Sequence, residues 1–204
     1  MRIYYADIRG LDDSRALFPP LSGSKGSAFG TSLLAAAYAD YTGRAILPKI
    51  EKQVLGRPVF TKTPEPCFSI SHSKTHVFCA LSETPVGLDT EPRDRRVSQV
   101  AIERLTTPRE REGLSFLEIW TLRESFFKLF GEGDLRSLRF YKEDGKLISP
   151  REDVFCHVYP DIDGSVLAVC SKTNYFPSKP IEIPIEQLLK KEKPLQAYPK
   201  GFKL

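Results

Sequence analysis

Within Phe68 to Gly131, a subset of three acids, one histidine and one lysine is set among apolar neighbours. They fall in three segments: Phe68-Ser69-Ile70-Ser71-His72-Ser73, Val86-Gly87-Leu88-Asp89-Thr90-Glu91, and Trp120-Thr121-Leu122-Arg123-Glu124-Ser125-Phe126-Phe127-Lys128. Charges in such company are costly to bury unless they are paired or bound to a metal. The spacing points to one site where a metal ion and a phosphorylated ligand meet.

Asp89 and Glu91 are two residues apart on a strand pattern. Their side chains share one face, roughly 7 Å apart along the backbone. Val86, Leu88 and Thr90 take the opposite face, toward a core. Gly87 shares the acid face and is expected to leave space for a ligand beside the carboxylates. Two carboxylates this close raise each other's pKa unless a cation intervenes. Hard oxygen donors of this kind suit Mg²⁺, which takes one or two carboxylates and completes its shell with substrate phosphates. A solvated acid pair on an edge strand is the ordinary alternative.

Glu124 sits inside an aromatic helix pattern, with Lys128 one turn later on the same face. An intrahelical Glu–Lys pair is the plainer account, but it suits a solvent face better than an aromatic one. A third metal carboxylate, with the lysine aimed at a phosphate, explains both charges. His72, flanked by Ser71, Ser73 and Lys74, offers donors to a phosphate; a structural histidine is its alternative. Arg57, in Gly56-Arg57-Pro58, reads equally as a phosphate contact or a surface turn. No G-x-S-x-G elbow occurs, which removes one common serine hydrolase pattern.

The elements that must carry these groups follow from periodicity. Ile3 to Ile8 reads as a strand, and Leu11 to Gly26 as a loop. Ser27 to Tyr41 reads as a helix, capped by Ser24 or Ser27 and ended by Gly43. Strands over Cys67–His72, His76–Ser82 and Val86–Glu91, joined by hairpin-length links, predict a three-stranded antiparallel meander. The polar run from Pro92 to Arg96 reads as a linker. Val97–Leu105 is a short helix, Thr107-Pro108-Arg109-Glu110 a capped helix start, and Phe116–Phe130 a long buried helix. Ser137–Tyr141, Val154–Val158 and Val166–Cys170 read as three more strands, and Ile185–Lys191 as a last helical piece. A helix followed by three antiparallel strands thus occurs twice, predicting an α+β fold of two similar lobes over 1–92 and 97–204.

Of the 204 residues, 41% are hydrophobic and 27% charged, an ordinary balance for a soluble protein. No apolar run approaches the ~20 residues of a membrane span, and the first residues do not read as a signal peptide. A cytoplasmic protein is expected. The net charge of +4 permits anionic ligands but lacks the basic stripe that nucleic acid asks for. The four cysteines, Cys67, Cys79, Cys156 and Cys170, form no C-x-x-C pair, so neither zinc nor, in a reducing compartment, disulfides are expected.

The ordered blocks Gly56-Arg57-Pro58, Phe68 to Ser73, Val86 to Glu91 and Trp120 to Lys128 resemble the 4′-phosphopantetheinyl transferases, and most closely the two-lobed, monomeric Sfp type. The resemblance is dense from Arg57 to Gly131 and thin in the first 55 residues. It implies a pseudo-twofold fold with a three-stranded antiparallel sheet and helices in each lobe. It implies Mg²⁺, with Mn²⁺ as a substitute, and coenzyme A as co-substrate. Its partner is an apo acyl or peptidyl carrier protein whose serine attacks the β-phosphate, releasing adenosine 3′,5′-bisphosphate. The metal acids match Asp89, Glu91 and Glu124; the phosphate-contacting lysine matches Lys128; the 3′-phosphate histidine matches His72, helped by Ser71. A base before the long helix falls on Glu110, a role that Glu124 could share. Thr31 and Arg57 match ligand contacts near the adenosine, while the early region offers only Arg15 and Lys25 as candidates for the basic residues that grip the 3′-phosphate. Arg123 stands where the family usually has lysine, and Thr90 where it has an aliphatic residue. The alternatives are a non-catalytic paralogue that only binds coenzyme A or a carrier, and an unrelated metal-dependent phosphohydrolase.

Overall fold

The structure is a computed structural model, which describes residues 1–21, 28–53, 57–62, 64–131 and 133–190. In chain order its elements are β1 (Arg2–Asp7), α1 (Ala28–Thr42), β2 (Ile50–Lys52), β3 (Pro58–Phe60), β4 (Cys67–His72), β5 (His76–Ser82), β6 (Val86–Pro92), α2 (Gln99–Leu105), α3 (Pro108–Arg111), α4 (Phe116–Phe130), β7 (Tyr141–Glu143), β8 (Lys146–Ile148), β9 (Phe155–Ile162), β10 (Ser165–Ser171) and β11 (Ile181–Glu182). Single 3₁₀ turns cover Asp13–Arg15 and Ile185–Gln187. This is an α+β fold.

The larger sheets have the orders β11-β1-β5-β4 and β6-β10-β9. β1 is antiparallel to β5 and parallel to β11, and β4 is antiparallel to β5. The expected meander is therefore corrected at its third strand. β6 forms its ladder with β10, from Val86 opposite Ser171 to Pro92 opposite Ser165. Alternation identifies which face of a strand is apolar, but not which neighbour takes its backbone hydrogen bonds. The first sheet is correspondingly four-stranded and mixed. The strand expected over Ser137–Tyr141 is also displaced: the hairpin β7–β8 starts at Tyr141 and turns at Asp144-Gly145, both with positive φ.

Alternation explains the layering. Tyr4, Ala6, Val77, Cys79 and Leu81 face α1 in one core, whereas Ile3, Phe78 and Ala80 face Val86, Leu88, Leu167 and Val169 across the two sheets. A third core lies under α4, where Ile119, Leu122, Phe126 and Leu129 meet Ala168 and Cys170. Helix, sheet, sheet and helix thus stack in that order. β5 and β10 are buried along their whole length because each is covered on both faces.

Helix α4 starts at a capping box, where the Ser115 hydroxyl accepts from the Glu118 amide and the Glu118 carboxylate accepts from the Ser115 amide. It ends at Gly131 in the left-handed conformation, φ 76°. Cys156 and Cys170, opposite each other on β9 and β10, are joined in a disulfide. The expectation of four free thiols is corrected there. β-Pairing brings the two residues to Cα–Cα 4.2 Å, a juxtaposition hidden in a sequence separation of 14.

Candidate active site

Strand β6 presents Val86 and Leu88 to the inter-sheet core and Gly87, Asp89 and Glu91 to the side facing α4. A Cβ on Gly87 would lie 1.9 Å from the Ser125 carbonyl oxygen and 2.5 Å from the Leu129 nitrogen. The space beside the carboxylates, expected for a ligand, is filled by the helix backbone instead. Buried Thr121 and Ser125 complete the small surface on α4. This backbone-to-backbone approach sets Glu124 and Lys128, one turn apart, alongside the acids of β6.

Asp89 Oδ1 accepts from Lys128 Nζ at 2.8 Å and from Ser71 Oγ at 2.8 Å. Lys128 Nζ also lies 3.4 Å from the Ile70 carbonyl oxygen. The serine-rich strand has a second task. Ser69 Oγ accepts from the Leu88 amide at 3.0 Å, and Ser71 Oγ from the Thr90 amide at 3.3 Å. Two hydroxyls thus stand in for the backbone ladder that β4 and β6 do not form. Thr90, an aliphatic position by resemblance, donates from its hydroxyl to the Val166 carbonyl at 3.0 Å.

Glu91 pairs with Arg95, four residues on. Glu124 makes no hydrogen bond or ion pair with a described residue. Burial, then the Asp89 charge, hold the Glu124 carboxyl above its ordinary range, and Lys128 only partly offsets them. Burial also raises Glu91; Arg95 opposes this, while Asp89 and Glu124 add to it. The three acids therefore sense one another across two elements, and together they hold more negative charge than Lys128 and Arg95 cancel. As placed, Asp89 is engaged by Lys128 and Glu91 by Arg95. The described trio whose donor atoms all lie within 4.8 Å of one another is Asp7, His76 and Asp163, where Arg9 already supplies the cation. The carboxylates of Asp89, Glu91 and Glu124 do not draw together that closely as placed, but by donor type, three partly or fully buried carboxylates with charge left over, they suit a hard divalent cation.

The other expected residues divide. His72 ends β4; burial and the Lys128 ammonium hold its imidazole below the ordinary range, against the pull of Asp13 and Asp89. It stands with the acid cluster. Arg57 donates to the Leu129 carbonyl at 2.7 Å, closing the last turn of α4. Thr31 is buried in α1, and its hydroxyl has no hydrogen-bond partner among the described residues. Lys25, Gly56, Ser24 and Ser27 lie outside the described residues.

Glu110 is fully buried and accepts from Arg123 at 2.7 Å, from the Thr107 amide at 2.8 Å and from the Thr107 hydroxyl at 3.0 Å. Burial pushes its pKa up, but the bonds from Thr107 and Arg123 prevail and hold it low. Arg123 is 1% exposed and also donates to the Leu105 carbonyl at 2.6 Å. The arginine in place of lysine thus uses its fork to tie α4 to α3 and to the end of α2. Sequence reasoning missed Arg95, which it left in a linker. Its i,i+4 offset from Glu91 was the available signal, but that rule belongs to helices and Glu91 is on a strand.

Comparison with known proteins gives a consistent result. The sequence pattern of the 4′-phosphopantetheinyl transferase superfamily matches residues 85–160, which span β6, α4 and most of β9. A 4′-phosphopantetheinyl transferase of Bacillus subtilis is 30% identical over 138 residues, covering 58% of this chain and 61% of that protein. The 4′-phosphopantetheinyl transferase Sfp of Bacillus subtilis strain 168 is 28% identical over 160 residues, covering 69% and 70%. The psf-1 transferase of Bacillus pumilus is 31% identical over 134 residues, covering 57% and 58%. The chain thus matches about six tenths to seven tenths of the length of these relatives.

Proposed function

We propose that this chain is a 4′-phosphopantetheinyl transferase, which moves the phosphopantetheine arm of coenzyme A onto a serine of an apo carrier protein; its likeness to that superfamily over residues 85–160 and to the Bacillus transferases supports this. The observation that carries this reading is the close β6–α4 contact, which pairs Lys128 with Asp89 and sets Glu124 on the helix face that meets the acids of β6. Asp89, Glu91 and Glu124 are the residues that would hold Mg²⁺, or Mn²⁺ in its place. When bound, the ion supplies charge neutralisation for the pyrophosphate oxygens.

The chain's own residues supply the rest. Lys128 keeps an ammonium beside Asp89 and directs its remaining N–H bonds toward a phosphate. His72, beside Lys128, gains its proton when an anion such as the 3′-phosphate arrives. Glu124, on the face of α4 that meets β6 and without a hydrogen bond or ion pair to a described residue, keeps an oxygen with which to accept the proton of the carrier serine. The serine oxygen then bonds to the β-phosphorus, the bridging P–O bond breaks, and adenosine 3′,5′-bisphosphate leaves. Glu110 has its oxygens committed to Arg123 and Thr107, which supports a structural part for it and the base role for Glu124. In this reading the chain works as a cytoplasmic monomer of two pseudo-twofold lobes, 1–92 and 97–204, with β6 reaching from the first into the sheet of the second. None of its described helices is long and apolar enough to cross a membrane.

The test is to mix the protein with coenzyme A, Mg²⁺ and a panel of apo acyl and peptidyl carriers, and to weigh the carriers. At least one carrier gains the phosphopantetheine mass, and Asp89→Ala, folded by circular dichroism, adds none. No gain on any carrier, with coenzyme A still bound, would leave a binding protein in place of an enzyme.

A further inference from the structure

Glu91 and Asp89 each already hold a cation that belongs to the chain, but the two cations are held differently. Lys128 is fixed from three directions: by its own helix, by Asp89 and by the Ile70 carbonyl. Arg95 lies on the irregular stretch between β6 and α2, its side chain 43% exposed, and Glu91 is its sole described side-chain partner. Glu91 is the less exposed of that pair, at 17%. The guanidinium is therefore the movable half. It also has somewhere to go: Arg95 lines an open groove of about 470 Å³ with Arg93, Val97, Ile102, Phe116 and Val166.

We propose that Arg95 is an internal counter-ion that occupies Glu91 until the metal arrives, so that metal loading displaces its guanidinium from Glu91 into the groove beside Phe116. This rests on the metal reading given above. The charge arithmetic supports it. A divalent ion carries twice the charge of a guanidinium and Arg95 is held only from its partly exposed side, so the ion gains more from this carboxylate than the arginine does. Arg95 competes with the ion for one carboxylate, and removing it lets the ion bind without that competition. Arg95 then tunes metal affinity without touching the metal.

The experiment is a Mn²⁺ titration followed by electron paramagnetic resonance, without coenzyme A or carrier. Arg95→Gln is expected to bind Mn²⁺ about two- to fivefold more tightly than the unaltered chain, the range a partly exposed ion pair supports. Arg93→Gln removes the same charge from a residue paired with Asp161, and should shift affinity less than Arg95→Gln does. In a Glu91→Gln background, Arg95→Gln should make no further difference. Unchanged or weaker binding in Arg95→Gln overturns the proposal, as does an equal effect from Arg93→Gln or a gain that persists without Glu91. If the unaltered chain binds no Mn²⁺ at millimolar concentration, the metal reading itself fails and takes this proposal with it. A chain that binds Mn²⁺ while Arg95→Gln leaves affinity unmoved overturns this proposal alone.

Discussion

Glu124 carries a charge that Lys128 only partly offsets. Burial and Asp89 both disfavour its ionised form, so its folded pKa lies above the reference 4.5. A carboxylate raised in this way binds its proton more tightly in the folded state. It therefore subtracts stability as pH rises through the region above 4.5, and the penalty fades as pH falls toward that value. Glu91 is shifted in the same direction and adds to the slope. A divalent ion bound by these groups reverses the penalty where they are ionised. Two outcomes follow for Glu124→Gln. Transfer to a carrier should drop at least ~10²-fold, as expected when a base and ligand is lost. Yet the melting temperature without divalent ions should rise at pH 7.5, and it should respond less to added Mg²⁺ than the unaltered protein. In the unaltered protein the rise in melting temperature produced by Mg²⁺ should be larger at pH 7.5 than at pH 5. Thermal melts at both pH values check this, and an ion effect independent of pH would separate Glu124 and Glu91 from the ion. Glu110 behaves oppositely: its lowered pKa contributes stability that disappears only as pH drops below 4.5.

Between β6 and α4 the decisive feature is the lack of a side chain. Gly87 lets the helix backbone rest on the strand, and no rotamer change can relieve a Cβ placed 1.9 Å from a main-chain oxygen. Gly87→Ala must therefore push α4 away from β6. The stability loss should be at the upper end of the ~1–3 kcal/mol typical of overpacking. The shift also separates Lys128 from Asp89, so metal binding and transfer should fall even at temperatures where the variant is folded. Urea denaturation and Mn²⁺ titration of the same preparation measure the two effects. Stability within experimental error of the unaltered protein would show that α4 does not rest on β6 at Gly87. The extent of α4 was legible because the apolar pattern over Phe116–Phe130 is local and needs no distant partner to be read. The acid pair on one face of β6 was legible from alternation alone. The reason for Gly87, the serine bridges from β4 and the ladder of β6 with β10 were not, because each depends on a partner distant in the chain. Ser125 is 38 positions from Gly87, and Val166 is 75 from Glu91, counting along the chain. Periodicity reports what a residue needs around it, and leaves open which segment provides it.

At the scale of the whole molecule, the exchange of β6 makes the two halves depend on each other. The linker at Pro92–Arg96 looks like a boundary in composition, yet the strand before it forms a seven-residue ladder with β10 from the far half. The core between the sheets draws Ile3, Phe78 and Ala80 from one half and Leu167 and Val169 from the other. His76 of β5 lies 2.9 Å from Asp163 in the β9–β10 turn, and Arg9 reaches both Asp7 and Asp163 at the same edge. A fragment of residues 1–92 would leave β6 without its ladder and strip Ile3, Phe78 and Ala80 of the cover that Leu167 and Val169 give them. A fragment of residues 97–204 would leave β10 an open edge strand, with Leu167 and Val169 uncovered. Neither fragment should therefore give a cooperative melt alone. Mixing them should restore the far-ultraviolet signal and the emission of Trp120, the chain's single tryptophan, together. In the intact chain the same dependence requires one transition in urea, with circular dichroism and Trp120 emission superimposing. Two separated transitions, or a 97–204 fragment that folds on its own, would mean that each half carries enough core for itself. In that case the acids of β6 would meet α4 by docking of two formed bodies, and not as a consequence of folding.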